Sequence, residues 1–161
     1  MICGIDPGLS GGIAFIQDGL VIAHRTPVRK FKMNKKERRY LDVGTIASWL
    51  EKHEPSHIFI EKQQAMPGQG VSSTFMTGLG YGIYIGMFIS LGFNYTEVTP
   101  RQWKKDLSVP KDKNLARARA TELYPHASDF WKLKCEDGVA EATMIAHWGL
   151  EAMYQMGRND Q

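Results

Sequence analysis

A short apolar strand that ends in a carboxylate occurs twice in this chain, and the repetition limits the folds available to it. Residues 1–5 are almost entirely apolar and precede Asp6, while the run Ile58-Phe59-Ile60 precedes Glu61. Apolar residues at helical spacing predict an amphipathic helix over 42–53, which can join the two strands as parallel neighbours through a right-handed crossover. Because parallel strands end at the same sheet edge, we expect Asp6 and Glu61 to lie side by side.

The opening segment also contains a predicted hairpin. The pair Asp18-Gly19 has the composition of a tight turn between two apolar runs, so residues 1–26 are expected to form three adjacent strands. A carboxylate at the end of a buried strand needs compensation. For Asp6 this leaves a metal ion or other cation, or the backbone of the Pro7-Gly8 turn. For Glu61 the alternative is an ordinary ion pair with Lys62 or another lysine.

Length and composition predict one soluble domain over residues 1–161. Hydrophobic residues make up 43% of the chain and charged residues 23%, which is sufficient for a single domain with its own core. Cys3 lies in an apolar strand and Cys135 in a polar loop, which favours free thiols in a reducing, cytoplasmic setting over a disulfide or a zinc site. No secretory leader is recognisable in the sequence.

Basic residues concentrate in two segments, although the formal net charge is only +3. The first falls within 27–40, interpreted as a mobile loop or a strand extension, and the second spans 101–119. Such segments suggest a surface for a polyanion, and the alternative is two solvated faces without a partner. The predicted DNA contacts come from both: Arg29, Lys30, Lys35, Lys36, Arg101, Lys104, Lys105, Lys113 and Arg117.

The segment from Ser72 to Phe93 is long, apolar and free of charge, with glycines at every fourth position from Gly78 to Gly86. Its length permits a transmembrane helix. We reject a membrane span because leucine is sparse, glycine is frequent and strand-like segments flank it on both sides. A glycine stripe of this kind lets helices approach closely, so we expect a buried or dimer-forming helix.

Two capped helices are predicted after a short strand over 94–98. Thr99, followed by Pro100, is a typical helix start, and Asp112 is suited to cap the next helix. Trp103 and Trp131, on and after these helices, are expected to serve in core or rim packing rather than as platforms for base stacking.

The last predicted helix begins near residue 136 and carries two acids on one face. Asp137 and Glu141 are four residues apart, and the face continues into apolar Ile145 and Trp148. Asp137 has an alternative role as a helix cap, worth about 1 kcal/mol, whereas a cap does not explain Glu141. His147, beside this stripe, is left outside the predicted site.

Four acids thus come from three separate elements, each at the beginning or end of its element: Asp6, Glu61, Asp137 and Glu141. Carboxylate oxygens are the ligands that Mg²⁺ or Mn²⁺ prefers, and two such ions about 4 Å apart suit phosphodiester displacement. One ion can generate hydroxide while the other stabilises the leaving 3′-oxygen. The basic segments would hold the polyanion in register.

Four sequence segments together resemble the RuvC-type Holliday junction resolvases, and the phage-encoded branch most. They are Gly-Ile-Asp6-Pro-Gly-Leu-Ser, Ile-Phe-Ile-Glu61-Lys-Gln, Val-Thr-Pro-Arg-Gln-Trp-Lys and Asp137-Gly-Val-Ala-Glu141-Ala. The resemblance implies an α/β, RNase H-like fold with a mixed central sheet of about five strands flanked by helices. It also implies a homodimer, dependence on magnesium or manganese, and paired nicks across a four-way DNA junction.

By motif, Asp6 corresponds to the first-strand acid, Glu61 to the glutamate after the fourth strand, and Glu141 to the last acid of the final helix. The bacterial pattern would put the fourth ligand at Gly138. The nearest carboxylate is Asp137, which we take as the fourth ligand, with Glu136 as the second candidate.

The sequence departs from the bacterial family after the catalytic glutamate, where an aromatic wedge is replaced by Gln63-Gln64-Ala65-Met66. Met66 or Phe75 is the candidate substitute. If the protein is phage-encoded, we expect it to act in the host cytoplasm.

Three other functions compete with a junction resolvase. A broader nuclease of the same fold would cut flaps and forks with the same residues. A nucleotide-binding domain would use the glycine turn after Asp6 to hold phosphate, but the chain is short for the usual two lobes. A non-catalytic junction binder is disfavoured, because buried carboxylates that bind no metal would destabilise the domain.

Overall fold

A computed structural model describes residues 1–33, 36–110 and 112–159, without the side chains at 33, 36, 113 and 159. The strands are β1 (Ile2–Asp6), β2 (Gly12–Gln17), β3 (Leu20–Arg25), β4 (Val28–Met33), β5 (Lys36–Leu41), β6 (His57–Glu61) and β7 (Tyr95–Val98). The helices are α1 (Val43–His53), α2 (Val71–Leu91), α3 (Pro100–Asp106), α4 (Lys113–Leu123) and α5 (Asp137–Asn159). Short 3₁₀ turns cover Pro125–Trp131 and Lys134–Glu136.

Five strands form a mixed sheet in the order β3-β2-β1-β6-β7. The hairpin prediction is confirmed, because β1, β2 and β3 are antiparallel neighbours and the turn at Asp18-Gly19 has positive φ at both residues. The crossover prediction is also confirmed, since β1 and β6 are parallel with Ile5 opposite Ile60. Asp6 and Glu61 are the next residues along, at the same edge of the sheet.

Strand alternation divides the core between the two faces of the sheet. Ile5 and Ile60 belong to a cluster with α1 and α2, whereas Phe59 belongs to a second cluster with α3, α4 and α5. Side chains of successive strand residues point to opposite faces. Asp6 and Glu61, each one residue beyond an isoleucine of the first cluster, therefore point towards α5.

Helix α5 lies directly on the backbone of the central strands. A Cβ atom added at Gly4 of β1 would overlap the α5 backbone at Ala142 and Ala146, and one added at Gly12 of β2 would lie 2.6 Å from the Cα of Val139. These close approaches require glycine. They fix the helix start, and with it the acids of α5, against the ends of the strands.

Helix α2 covers part of the opposite face, and much of its apolar surface remains exposed. Tyr84, Met87 and Phe88 are buried, while Phe75 is 68% and Ile89 is 66% exposed. By length and composition alone this 21-residue helix would suffice to cross a membrane. The sequence predicted a buried or dimer-forming helix, and the single chain leaves most of it uncovered.

The first basic segment forms a separate two-stranded ribbon, β4–β5, where the sequence had suggested a mobile loop or a strand extension. Register places Lys30 opposite Arg39 and Phe31 opposite Arg38. The base of the ribbon is held by buried Leu41 and by the Asp42 backbone N–H, which donates to the Pro27 carbonyl.

Candidate active site

Acids from three elements converge beside the start of α5. Asp6 ends β1, Glu61 ends β6 and Glu141 lies one turn into α5, and the Asp6 carboxyl is close enough to both glutamates for their charges to raise its pKa. The sequence placed all three here from their positions in the elements. Their assignment as catalytic metal ligands stays a prediction.

The pKa of Asp6 is raised to about 7, first by burial and then by the charges of Glu141 and Glu61. The Gly8 backbone N–H donates to Asp6 Oδ1 at 3.2 Å and opposes this rise, as does the charge of Lys104. The turn contact foreseen as an alternative for Asp6 is therefore present, and it compensates the buried charge only in part.

Glu61 is held by an aromatic donor. The indole Nε1–H of Trp103 donates to Glu61 Oε2 at 2.9 Å. Burial raises the pKa of Glu61 above its ordinary value, and the Trp103 hydrogen bond opposes only part of this rise, to which the charge of Glu141 also contributes. The ion pair with Lys62 considered above does not form, because Lys62 contacts Glu97 at 3.3 Å instead.

Glu141 contacts the residue that follows this tryptophan. The Nζ atom of Lys104 donates to Glu141 Oε1 at 2.7 Å and lies 4.9 Å from the ring centroid of Trp103. Lys104 was predicted as a phosphate contact, and it also forms an ion pair with one of the acids. Helix α3 thus supplies a partner to two of the acids from consecutive positions.

Asp137 and Glu136 have different surroundings. Asp137 lines the acidic cleft and its Oδ1 lies 3.0 Å from Arg117 Nε, whereas Glu136 accepts the Leu133 backbone N–H at 2.8 Å. Gly138 has no room for a side chain, because a Cβ there would overlap the backbone of Gly11. With this backbone, residue 138 therefore has no room for the acid expected there from the bacterial pattern.

A cleft of about 350 Å³ opens over these acids. Its lining includes the acids Asp6, Asp137 and Glu141 and the basic residues Arg25 and Lys134. Within the described residues, no three His, Cys, Asp or Glu side chains are placed so that together they could hold a metal ion as they stand. The site as described is an acidic cleft with cations at two of its carboxylates.

A second cleft of about 450 Å³ lies on the other side of Glu61. The loop after β6 and the start of α3 line it, including Met66 and Arg101. Met66 is 66% exposed beside the site. Phe75 is 68% exposed on the first turns of α2 and is not among the residues that line this cleft.

The predicted DNA contacts fall into three groups. Arg101 and Lys105 are exposed on α3, while Arg117 is mostly covered and turned towards Asp137. On the ribbon, Arg29 pairs with Asp42 at 3.1 Å and Lys30 pairs with Glu37 at 3.1 Å. Three predicted contacts lie outside the part of the chain that the structure describes. They are Lys35 and the side chains of Lys36 and Lys113.

The sequence analysis predicted that Trp103 and Trp131 serve in packing, and both are buried. It did not predict that Trp103 contacts Glu61. Nothing in the local sequence around Trp103 indicates this contact. Only the distance between its Nε1 and Glu61 Oε2 shows that the tryptophan holds one of the acids. His147 remains outside the site, as predicted, where its Nδ1 lies 2.8 Å from the Tyr124 hydroxyl.

The mixed sheet with α5 across one face defines an RNase H-like fold of the RuvC type. The structure is similar to Thermus thermophilus RuvC in complex with a Holliday junction substrate, with a TM-score of 0.57 and 14% identity over 91% of this chain and 90% of that one. It is also similar to the yeast mitochondrial Holliday junction resolvase Ydc2, with a TM-score of 0.54 and 14% identity over 91% and 76% of the two chains. At this identity the likeness establishes the fold.

In sequence, the chain is 31% identical over 103 residues to the chloroplastic Holliday junction resolvase MOC1 of Chlamydomonas reinhardtii. The match covers 62% of this chain and 12% of that protein. The chain therefore spans a small part of the length of this curated relative. No protein-family model matches the chain.

Proposed function

We propose that this chain is a metal-dependent, structure-specific DNA endonuclease that resolves four-way (Holliday) junctions by paired nicks. The observation that carries the proposal is the convergence of Asp6, Glu61 and Glu141 from three elements at one sheet edge. The RuvC-type fold and the sequence similarity to a junction resolvase support the same function.

The donor set fits a divalent metal ion. All candidate ligands are carboxylates, as Mg²⁺ and Mn²⁺ prefer, and burial together with repulsion from Glu141 and Glu61 raises the pKa of Asp6 to about 7. We propose Mg²⁺ or Mn²⁺, with two ions per site, held by Asp6, Glu61, Asp137 and Glu141. Binding would exchange the contacts of Glu141 and Asp137 with Lys104 and Arg117 for contacts with metal. The bound ions supply the activation of water and the stabilisation of the leaving 3′-oxygen.

The residues of the chain itself position the DNA strand. Arg25 and Lys134 line the acidic cleft, where they are placed to contact a phosphate next to the one that is cut. Lys104 stands between the acids and the exposed cations of α3, so it can also neutralise phosphate charge. These contacts orient the phosphodiester relative to the acids without reading a base.

The β4–β5 ribbon is proposed to hold a duplex arm by its phosphates. Lys30 lies directly opposite Arg39, and like charges in this arrangement destabilise a ribbon unless an anion offsets them. Glu37, 3.1 Å from Lys30, offsets this repulsion in part, and a DNA phosphate would offset it further. Six-residue strands reach about 20 Å, which is enough to follow several phosphates. Exposed Phe31 lies on the other face of the ribbon, opposite Arg38.

Replacing Lys30 and Arg39 with glutamine tests the ribbon. Junction affinity should depend less on salt, with the slope of log K against log salt reduced by about 2. Lys132→Gln is the control, because Lys132 is 75% exposed and lies outside both basic segments. An unchanged slope in the double variant would show that the ribbon does not contact DNA.

The exposed face of α2 is proposed as the interface of a homodimer rather than a membrane-contacting surface. Val71, Phe75, Leu79 and Ile89 are exposed at helical spacing, and Gly78, Gly82 and Gly86 lie between them. Pairing two copies across such a stripe buries apolar area and allows close helix contact. A symmetric dimer also provides the two sites that paired nicks require.

Met66 and Phe75 are proposed as residues that open the junction. Met66 lies beside Glu61 at the second cleft, which is the better position for a wedge, and Phe75 lies on the first turns of α2. Alanine at each position should slow junction cleavage without weakening the cleavage of an already open fork. Unchanged junction cleavage in both variants would remove this part of the proposal.

The principal experiment incubates purified protein with a labelled four-way junction, flap, fork and linear duplex, in Mg²⁺, Mn²⁺ or chelator, alongside Asp6→Asn. We expect symmetric, metal-dependent nicks in the junction that fall at least about 10³-fold in the variant, while the variant still binds the junction. Cutting of every branched substrate would instead indicate the broader nuclease. Junction binding by the wild type without cutting would refute a catalytic role.

Three further assignments belong to the proposal. The Asp-Gly-x-Ala-Glu-Ala arrangement at 137–142 supports the phage-encoded branch, and residues 1–161 are taken as one nuclease domain. A reducing, cytoplasmic setting is supported by two free cysteines, of which Cys3 is buried and Cys135 exposed.

A further inference from the structure

Trp103 contacts a proposed metal ligand from inside the core. Its side chain is fully buried, and its only polar atom, Nε1, donates to Glu61 Oε2 at 2.9 Å. A buried indole N–H needs an acceptor, and a hydroxyl can serve, since buried Trp131 donates its Nε1–H to the hydroxyl of Thr121 at 2.9 Å. Trp148 donates to a carboxylate oxygen of Asp106 at 2.8 Å, but that bond is exposed. At Trp103 the acceptor is a part-buried carboxylate among the acids of the candidate site.

The position of this indole is fixed by its helix. Thr99 caps α3 by accepting the Gln102 backbone N–H at 3.3 Å, and Pro100 follows in the first turn. The ring then packs into the cluster beneath α5. The donor therefore has little freedom to follow Glu61, and Glu61 must take the rotamer that meets it.

We propose that Trp103 is a positioning residue for metal binding: its indole N–H fixes one oxygen of Glu61 so that the other is directed to the ion. The inference rests on the proposed metal-dependent nuclease function. A hydrogen bond from a fixed donor orients a ligating carboxylate before the metal arrives. Without it, Glu61 would have to be ordered at the moment of binding, and affinity would fall.

The same helix extends this role to a second acid. Lys104, the next residue, donates to Glu141 Oε1 at 2.7 Å and rests over the indole ring. A change at residue 103 would therefore disturb Glu61 directly, through the lost hydrogen bond. Glu141 would be affected less, through the ring that supports Lys104.

The test compares Trp103→Phe with Trp131→Phe. Both residues are at least 98% buried, both lose one indole hydrogen bond, and only Trp103 has an acid as its acceptor. Mn²⁺ binding is measured by titration calorimetry in the absence of DNA. We expect Trp103→Phe to bind Mn²⁺ at least about tenfold more weakly than wild type and Trp131→Phe to bind it normally, although both variants lose thermal stability.

Cleavage gives the second readout. The Mn²⁺ concentration for half-maximal junction cutting should rise at least about tenfold in Trp103→Phe, and excess Mn²⁺ should restore most of the rate. In a Glu61→Gln background, Trp103→Phe should change Mn²⁺ affinity much less than it does in the wild type, because the residue that it chiefly positions is already altered and only the smaller effect through Lys104 remains. A purely structural role for Trp103 would give equal effects in both tryptophan variants and an additive double variant.

Nuclear magnetic resonance keeps the proposal testable if Trp103→Phe does not fold. Titrating Mg²⁺ into the wild-type protein should shift the indole N–H resonance of Trp103 and leave that of Trp131 in place. If the indole N–H resonance of Trp103 does not shift, or if wild type and Trp103→Phe bind Mn²⁺ with equal affinity, the inference is overturned and the proposed nuclease function is unaffected. Failure of the wild type to bind any divalent metal overturns both.

Discussion

The two longest helices, α2 and α5, lie on opposite faces of one sheet and use their small residues in opposite ways. On α5, Gly138 and the alanines at 142 and 146 bring the helix against strand backbone, while on α2 the glycines Gly78, Gly82 and Gly86 face outwards. The first arrangement places acids at strand ends, and the second leaves a surface that a partner can approach. Small residues thus allow another backbone to come close to a helix. Whether that backbone belongs to the same chain depends on the side of the helix that faces the sheet.

The largest effect is the expected difference in the free energy of unfolding when a glycine on each helix is replaced by alanine. Gly138→Ala should lower the free energy of unfolding by about 3 kcal/mol, because its Cβ would overlap the Gly11 backbone. Gly82→Ala should raise it by up to about 1 kcal/mol, since the described residues place no atom within 4 Å of that Cβ. Chemical denaturation of dilute protein measures both. Equal destabilisation by the two substitutions would contradict the contrast between the helices.

The next prediction concerns the exposed face of α2. Ile89→Asp should weaken dimerisation at least about 100-fold, or about 3 kcal/mol, because a charge would enter an apolar interface. Leu20→Asp is the matched control, since Leu20 is 69% exposed on the β2–β3 turn and Ile89 is 66% exposed. Sedimentation analysis over a range of concentrations gives both constants. A wild-type protein that stays monomeric at high concentration would remove the proposed interface.

A smaller effect is expected on the α5 face, from the burial of Asp6. Because its pKa in the fold, about 7, is above the ordinary value for aspartate, the folded chain binds more protons than the unfolded chain between about pH 4 and pH 7. Its free energy of unfolding therefore falls as pH rises through this window. In chelator, Asp6→Asn should be about 2 kcal/mol more stable than wild type at pH 8 and nearly equal at pH 4.

Matched denaturation curves for Asp6→Asn and wild type at the two pH values check this, and Asp42→Asn is the control. The pKa of Asp42 is lowered by its contact with Arg29, so its ionised form is favoured in the fold and its loss should not stabilise the chain at pH 8. An Asp6→Asn variant less stable than wild type at pH 8 would mean that the Gly8 hydrogen bond outweighs burial and repulsion at this carboxyl.

Local sequence patterns were enough to predict most elements and the identity of three converging acids. Strand ends at Asp6 and Glu61, the turn at Asp18-Gly19 and the caps at Thr99 and Asp112 each depend on neighbours within a few residues. Such preferences act before the chain is compact, so they can be read without it. The basic stretch after β3 was less predictable, because cross-strand pairing forms its ribbon despite a weak local pattern.

The remaining features required contacts between residues that are distant in sequence. The bond from Trp103 to Glu61 spans 42 positions and that from Lys104 to Glu141 spans 37, so no local pattern contains either. The close approach of Gly138 to Gly11 likewise depends on how α5 packs across the sheet. The sequence by itself determined which acids stand at the ends of elements, because that is a matter of local order along the chain. Only the tertiary structure decided which side chains hold those acids and which helix stays exposed, because packing between distant segments sets both.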